Sequence, residues 1–84
     1  MLHIDCTFVG VYEENLVSWQ IAPKLLQDLK ENAKITIMES ESKNIEEFTL
    51  PHSRRGSFEY VFEDGKHYSV RLLLDGQECA LSTL

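Results

Sequence analysis

Two Asp-Gly pairs, Asp64-Gly65 and Asp75-Gly76, separate three alternating apolar runs between residues 57 and 84. Both residue types tolerate the positive φ that tight hairpin turns need, so Asp-Gly between alternating runs indicates β-hairpins. The pattern therefore predicts a three-stranded antiparallel meander over residues 57–84. It restricts the fold to one built on antiparallel sheet, and it carries no information about chemistry.

The two turns are expected to differ in length. A two-residue loop at Asp64-Gly65 would set the aromatic face of the first run beside the polar face of the second, which exposes a whole apolar set. A three-residue loop over 63–65 avoids this and predicts two pairs, Tyr60 with Tyr68 and Phe58 with Val70. A two-residue loop at Asp75-Gly76 predicts three more, Leu72 with Cys79, Val70 with Leu81 and Tyr68 with Thr83.

A second hairpin is predicted near the N-terminus, because apolar and polar residues alternate over 2–12 and again over 17–21. A four-residue loop predicts three pairs: Tyr12 with Val17, Gly10 with Trp19 and Phe8 with Ile21. A glycine opposite the single tryptophan would leave room for the indole. The alternative is one helix over 16–33, but Pro23 would lie in its interior at a cost of about 3 kcal/mol.

One helix is predicted from Pro23 to Asn32, with Leu25, Leu26 and Leu29 as its buried stripe. A strand follows from Ala33, then a polar loop over 40–44 and a strand over 46–50, with Phe48 opposite Ile37 and Leu50 opposite Ile35. The predicted fold class is α+β, a mainly antiparallel sheet in the order β-β-α-β-β-β-β-β with one helix packed on one face. The expected core contains Phe8, Leu26, Leu29, Ile35, Phe58, Tyr60, Val70 and Leu72.

The 84 residues are enough for one small globular domain, and 43% of them are hydrophobic, too many for a disordered chain. No apolar run approaches the roughly 20 residues of a membrane span, and residues 1–5 do not resemble a signal peptide. We therefore expect a cytoplasmic protein without membrane contact. The net charge of −6 argues against nucleic-acid binding, which depends on neutralising phosphates.

The sequence predicts no metal site, no cofactor and no enzymatic activity. Cys6 and Cys79 both fall on the apolar side of predicted strands, so they are expected to be buried free thiols. The three histidines, His3, His52 and His67, are far apart in the sequence. The chain shows no glycine-rich phosphate loop and no arrangement of a nucleophile with a base.

Two groups of residues are candidates for a binding site. Acidic residues are concentrated in predicted loops and strand ends, where they could meet a basic partner or simply keep strand edges soluble; they are Glu13, Glu14, Glu39, Glu41, Glu46 and Glu47. A basic loop could instead hold a phosphate or a carboxylate, because guanidinium groups bind both in bidentate fashion; its residues are His52, Ser53, Arg54 and Arg55.

Two functions follow from these groups. The first is a small acidic protein-binding module, of the inhibitor, immunity or regulatory-subunit type, that recognises a basic partner protein by surface complementarity. The alternative is a ligand-binding domain that uses the 52–55 loop to hold a phosphate- or carboxylate-bearing small molecule, for which a cavity beside His52 and Arg54 would be evidence. A homodimer joined at a sheet edge is a further alternative.

Overall fold

The computed structural model describes residues 7–13 and 15–84. Its elements follow the predicted order: β1 (Phe8–Tyr12), β2 (Leu16–Gln20), α1 (Pro23–Asp28), β3 (Lys34–Glu39), β4 (Ile45–Thr49), β5 (Arg55–Glu59), β6 (Tyr68–Leu74) and β7 (Gln77–Thr83). The prediction of a mainly antiparallel α+β fold with a single helix is confirmed for the described residues.

The strands form two antiparallel sheets whose inner faces share one core. One sheet has the order β1-β2-β5 and the other has the order β4-β3-β6-β7. β1 also contacts β6 and β7 of the larger sheet. The central buried side chains come from both sheets, from the segments on either side of α1 and from the residue that follows β4: Val9, Val17, Trp19, Ile21, Ala33, Ile35, Ile37, Leu50, Val70, Leu72 and Leu74.

The predicted meander is half right. β6 and β7 form a hairpin at Asp75-Gly76, where both residues have positive φ, 51° and 81°, as a type I′ turn requires. β5, however, pairs with β2 rather than β6, and β6 pairs with β3. The expected pairs of Phe58 with Val70 and of Tyr60 with Tyr68 are therefore wrong, and Phe58 lies opposite Val17.

A β-bulge changes the register of the second turn. Leu74 pairs with Gln77 and Leu73 with Glu78, but Leu72 then pairs with Ala80. Cys79 is therefore the additional residue on β7, and its thiol is free and exposed. The prediction of a buried Cys79 is wrong, and the same prediction for Cys6 lies outside the described residues.

The structure contains the predicted N-terminal hairpin and not the alternative single helix. The register of the hairpin differs from the prediction by one residue. Val9 lies opposite Trp19 and Val11 opposite Val17, so the valine side of β1 packs on the core. The other side, which includes Phe8, Gly10 and Tyr12, turns outward. Phe8 is 36% exposed and Tyr12 52% exposed, so the prediction of a buried Phe8 is wrong.

The helix is shorter than predicted. Pro23 occupies its first turn as expected, but α1 ends at Asp28 instead of Asn32. The backbone then turns away, and Asp75 accepts hydrogen bonds from the N–H groups of Lys30, at 3.1 Å, and Glu31, at 2.7 Å. Leu26 and Leu29 pack against the core while partly exposed, whereas Leu25 is exposed.

β3 and β4 pair two residues away from the predicted register. Phe48 lies opposite Ile35, and Glu46 lies opposite Ile37. Because side chains alternate along a strand, Glu46 and Phe48 share the inner side of β4 and Glu47 points outward. The other expected core residues divide into two sets: Ile35, Val70 and Leu72 are buried, whereas Phe58 and Tyr60 are partly exposed and pack against the core.

Candidate functional site

An open groove lies at one end of the molecule, between the β3–β4 hairpin and the segment that leads from β5 to β6. Its volume is about 430 Å³. We call it the acidic groove, because three carboxylates line it together with two phenols and three aliphatic side chains: Glu39, Glu46, Glu63, Tyr60, Tyr68, Ile37, Ile45 and Val61.

The centre of the acidic groove is a contact between Glu46 and Tyr60. Glu46 projects from the inner side of β4, and Tyr60 directly follows β5. The Tyr60 hydroxyl donates a hydrogen bond to the Glu46 carboxylate. Burial of the phenol, reinforced by this hydrogen bond and by the charge of Glu46, raises the pKa of Tyr60 to about 12. The phenol therefore stays a neutral donor throughout the physiological pH range.

Glu39 has a structural role as well as a place in the groove. Its carboxylate accepts the backbone N–H groups of Glu41, at 2.6 Å, and Ser42, at 3.1 Å. These hydrogen bonds lower the pKa of Glu39, because they stabilise the charged form. The same interactions hold the β3–β4 turn, in which Lys43 has a φ of 62°.

The third carboxylate, Glu63, is paired with Lys66 across 2.6 Å. The hydrogen bond and the charge of Glu63 raise the pKa of Lys66. Of the described residues that line the groove, Lys66 alone is basic, and this ion pair neutralises it. The remaining charge of the groove is therefore negative.

A row of aromatic rings connects the groove to the core. Successive ring centroids are 4.8–6.4 Å apart, within the range of favourable aromatic contacts. The order of the row is Trp19, Phe58, Phe48, Tyr60, Phe62 and Tyr68. These packed rings fix the position of Tyr60 and Tyr68 at the groove.

The structure brings together some of the predicted acidic residues and separates others. Glu39 and Glu46 line the groove and Glu41 lies in the adjacent turn. Glu47 lies on the opposite side of β4, 3.3 Å from the ammonium group of Lys34. Glu13 lies in the β1–β2 connection with a φ of 50°, and Glu14 lies outside the described residues.

The basic loop forms a less enclosed site. His52, Arg54 and Arg55 are exposed, and the Ser53 hydroxyl donates to the carbonyl of Arg55 at 2.9 Å. A depression of about 340 Å³ borders the loop, and of its four residues only Arg55 lines that depression. Neither His52 nor Arg54 lines this depression, so it is not the cavity beside them that would favour a small-molecule ligand.

Seven residues of the groove were not among the candidates from the sequence: Ile37, Ser42, Asn44, Ile45, Val61, Glu63 and Lys66. Ile45 is 62% exposed and Val61 is 77% exposed, and the two side chains line the same groove instead of being scattered singly. Spacing could have shown that Glu63 and Lys66 are close, because they flank an Asp-Gly turn. Nothing local could have placed them beside Glu46, because that contact depends on how the two sheets pack.

Within residues 7–13 and 15–84, no group of three or more His, Cys, Asp or Glu side chains could hold a metal ion. None of the helices in the described part of the chain is long and apolar enough to cross a membrane. Comparison with known proteins gave no match: no family model, no curated protein and no solved structure is significantly similar to this chain.

Proposed function

We propose that the protein is a small, non-enzymatic protein-binding module whose acidic groove receives a basic segment of a partner protein. The observation that carries this proposal is the combination of three carboxylates with exposed Ile45 and Val61 in one groove. Carboxylates at a binding site favour a basic partner and accelerate its approach. Exposed aliphatic side chains supply the apolar area that a bound segment would cover.

Two further features support a binding role. Tyrosines are enriched among the residues that dominate binding energy, and Tyr60 and Tyr68 are held at the groove by ring packing. A positioned side chain loses little conformational entropy on binding, so its contacts contribute more to affinity. The net charge of −6 adds long-range attraction for a basic protein.

The alternative function, an anion site at residues 52–55, has weaker support. The guanidinium groups of Arg54 and Arg55 are available to solvent, but the bordering depression is shallow and open. A small-molecule site normally encloses most of its ligand. We therefore favour the acidic groove.

Fluorescence anisotropy with a labelled peptide tests the proposal. The probe is a nine-residue peptide in which lysine alternates with valine, titrated with the protein at several salt concentrations. We expect binding that weakens steeply with salt, because exposed charges are screened within about 10 Å at 0.1 M ionic strength. The double variant Glu46→Gln/Glu63→Gln should weaken binding at least about tenfold at low salt.

The matched control is Asp28→Asn/Glu31→Gln, which removes the same charge from the region of α1. This variant should bind almost as well as the natural protein. Equal losses in both variants would show attraction by net charge alone and would contradict a site at the groove. If inorganic phosphate binds the natural protein and the variant Arg54→Glu/Arg55→Glu loses that binding, the alternative function is supported.

A further inference from the structure

β4 and β5 are consecutive strands that do not pair with each other. β4 is the outer strand of the larger sheet and pairs with β3, whereas β5 is the outer strand of the smaller sheet and pairs with β2. In the described part of the chain, no other strand pairs with either of these outer edges. We call the gap between them the β4–β5 seam.

Side-chain contacts fix how the two strands run along the seam. The ring of Phe48 packs on that of Phe58 with centroids 4.9 Å apart, and Glu46 meets Tyr60 two residues further on. The strands are therefore aligned antiparallel, with their inner side chains in contact. Their backbones stay more than 8 Å apart between Cα atoms over most of their length, too far for a hydrogen-bonded ladder.

The free hydrogen-bonding groups of β4 can be assigned from the two ends of its ladder. Asn44 accepts the N–H of Glu39 at 3.0 Å, and Leu50 donates to Ala33 at 2.8 Å. Antiparallel pairs alternate between bonded and non-bonded residues, so 46 and 48 bond to β3. The N–H and C=O groups of Ile45, Glu47 and Thr49 therefore point into the seam.

The same alternation applies to β5. Ile21 donates to Arg54 at 2.6 Å, and Tyr60 donates to Asn15 at 2.9 Å. Residues 56 and 58 therefore bond to β2, and the backbone groups of Arg55, Ser57 and Glu59 point away from β2, with the Arg55 carbonyl already accepting a hydrogen bond from the Ser53 hydroxyl. Each of the two strands thus presents a row of strand-pairing groups on the side away from its own sheet.

From this geometry we propose that the β4–β5 seam accepts an extended basic segment of a partner protein as an added strand. This inference rests on the proposed function and specifies how the partner binds. A strand between two edges needs roughly 9.5 Å between them, twice the spacing of paired strands. The added segment would run parallel to one edge and antiparallel to the other, bridging the two sheets. Strand addition at an open edge is a common mode of peptide recognition.

Charge identifies the occupant. The alignment places Glu47 of β4 across the seam from Glu59 of β5, with both side chains on the outer face. Glu47 already has the ammonium group of Lys34 at 3.3 Å, so a lysine or arginine of the added strand would supply a cation to Glu59 and a second cation to Glu47. On the same face, Ile45 lies across from Val61, and the aliphatic stem of a second lysine two residues away would cover these side chains.

A second copy of this chain fits the seam less well. If β4 paired antiparallel with β4 of a second copy, Glu46 and Glu47 of one copy would lie opposite or beside Glu46 and Glu47 of the other. Like charges opposed in a ladder destabilise pairing, and such charges protect edges against self-association. The seam therefore favours a basic partner over a homodimer.

Amide hydrogen exchange measured by NMR tests the inference, with the lysine–valine peptide added to the isotopically labelled protein. In the free protein the amides of Ile45, Glu47 and Thr49 should exchange fast, and those of Glu46 and Phe48 slowly. Bound peptide should slow exchange at the three fast amides and at those of Arg55, Ser57 and Glu59 at least about tenfold.

A second peptide with the same sequence, N-methylated at alternate residues, keeps the charge but cannot donate hydrogen bonds to one edge. It should bind at least about tenfold more weakly than the first peptide. Equal binding of both peptides, with the seam amides still exchanging fast, would overturn strand addition while leaving groove binding intact. Failure of both peptides to bind would instead contradict the proposed function itself.

A charge-reversed variant provides the matched test of the seam. Glu47→Lys/Glu59→Lys should lose the lysine–valine peptide and gain a glutamate–valine peptide, because the charges on the outer face are exchanged. Circular dichroism and thermal unfolding establish whether the variant is folded. An unchanged preference in the folded variant would show that the peptide does not lie between these two residues. Should the variant not fold, Glu47→Gln/Glu59→Gln is tested with the same two peptides and should bind them with more similar affinities.

Discussion

Trp19 lies directly over Gly56 on the neighbouring strand: a Cβ atom at position 56 would stand 2.5 Å from Cη2 of the indole. The two residues are paired across β2 and β5, so their side chains share the inner face of the smaller sheet. The absence of a side chain at position 56 is what allows the indole to be 5% exposed in the core. The close approach therefore joins β5 to β2.

The first prediction concerns this contact. Gly56→Ala should destabilise the protein by about 1–3 kcal/mol, because the added methyl group forces the indole or the strand to move. Urea unfolding followed by the fluorescence of the single tryptophan measures the change. Gly10→Ala is the control, since a Cβ there would approach nothing closer than 3.4 Å. Equal effects at both positions would mean that the indole does not depend on Gly56.

The same pair explains why the order of elements could be predicted while their partners could not. Alternation and Asp-Gly turns are local signals, and they correctly indicated the strands and the β6–β7 hairpin. The partner of β5 depends on a long-range fit between Trp19 and Gly56. A glycine opposite the tryptophan is predicted correctly, but its position is 56 and not 10.

The register errors also have a physical cause. Both sides of β1 are apolar, with Val9 and Val11 on one side and Phe8 and Tyr12 on the other, so alternation could not decide which side is buried. The candidate site shows the same division. Glu46 and Glu47 must point to opposite sides of a strand, which the sequence could have shown. The contact of Glu46 with Tyr60 crosses between sheets, and no local pattern encodes it.

Cys79 is expected to react in the folded protein. It is the additional residue of a β-bulge on β7 and its side chain is exposed, so a thiol reagent has access without unfolding. Mass spectrometry after brief labelling under native conditions should find the label on the peptide that contains Cys79. Cys79→Ser removes the site and identifies the signal. Labelling of Cys79 only after denaturation would contradict the bulge.

One phenol is expected to resist ionisation until high pH. Tyr60, held by burial and by the Glu46 carboxylate, should ionise near pH 12. The ultraviolet absorbance of tyrosinate measures this titration, and Tyr60→Phe should remove the late step. Glu46→Gln should bring the step to lower pH without restoring the ordinary value of 10.0, because burial remains.

The shift of Tyr60 has a consequence for alkaline stability. A pKa that is raised in the folded state leaves the free energy of unfolding unchanged below the ordinary value of 10.0. As the pH rises from 10.0 towards 12, the free energy of unfolding decreases. Over this range the unfolded chain ionises its phenol while the folded protein resists. Tyr60→Phe should therefore lose less stability than the natural protein between these pH values. Parallel declines in both proteins would contradict the assignment.

Acid stability depends on Asp75. Hydrogen bonds from the backbone N–H groups of Glu31 and Lys30 lower the pKa of this carboxyl below its ordinary value of 3.8. Such a group contributes stability that is fully present above pH 3.8 and is lost as the pH falls through the lower, folded-state pKa. Asp75→Asn tolerates the positive φ but loses the charge. Its deficit in stability should be largest at neutral pH and should shrink below pH 3.8.

Urea unfolding at neutral and acidic pH compares this variant with Asp64→Asn, which makes the same change at the other Asp-Gly turn. In the described residues no backbone hydrogen bond links the Asp64 carboxylate to a distant segment, so this control should be close to neutral in stability at both pH values. A deficit of Asp75→Asn that is independent of pH would assign its effect to the turn itself.

Leucine-to-alanine substitutions should destabilise the protein more in the sheet core than beside the helix. Leu72 is fully buried between the two sheets, so Leu72→Ala should cost about 2–5 kcal/mol by removing packed methyl groups and leaving a cavity. Leu29 follows a helix that contains no buried residue and is itself partly exposed, so Leu29→Ala should cost less than about 2 kcal/mol.

Leu81, which is 48% exposed on the outer face of β7, provides the control, and Leu81→Ala should change stability by no more than about 0.5 kcal/mol. Chemical unfolding of the three variants under one condition gives the ranking. A loss for Leu29→Ala as large as that for Leu72→Ala would mean that α1 is part of the core rather than an element at its border.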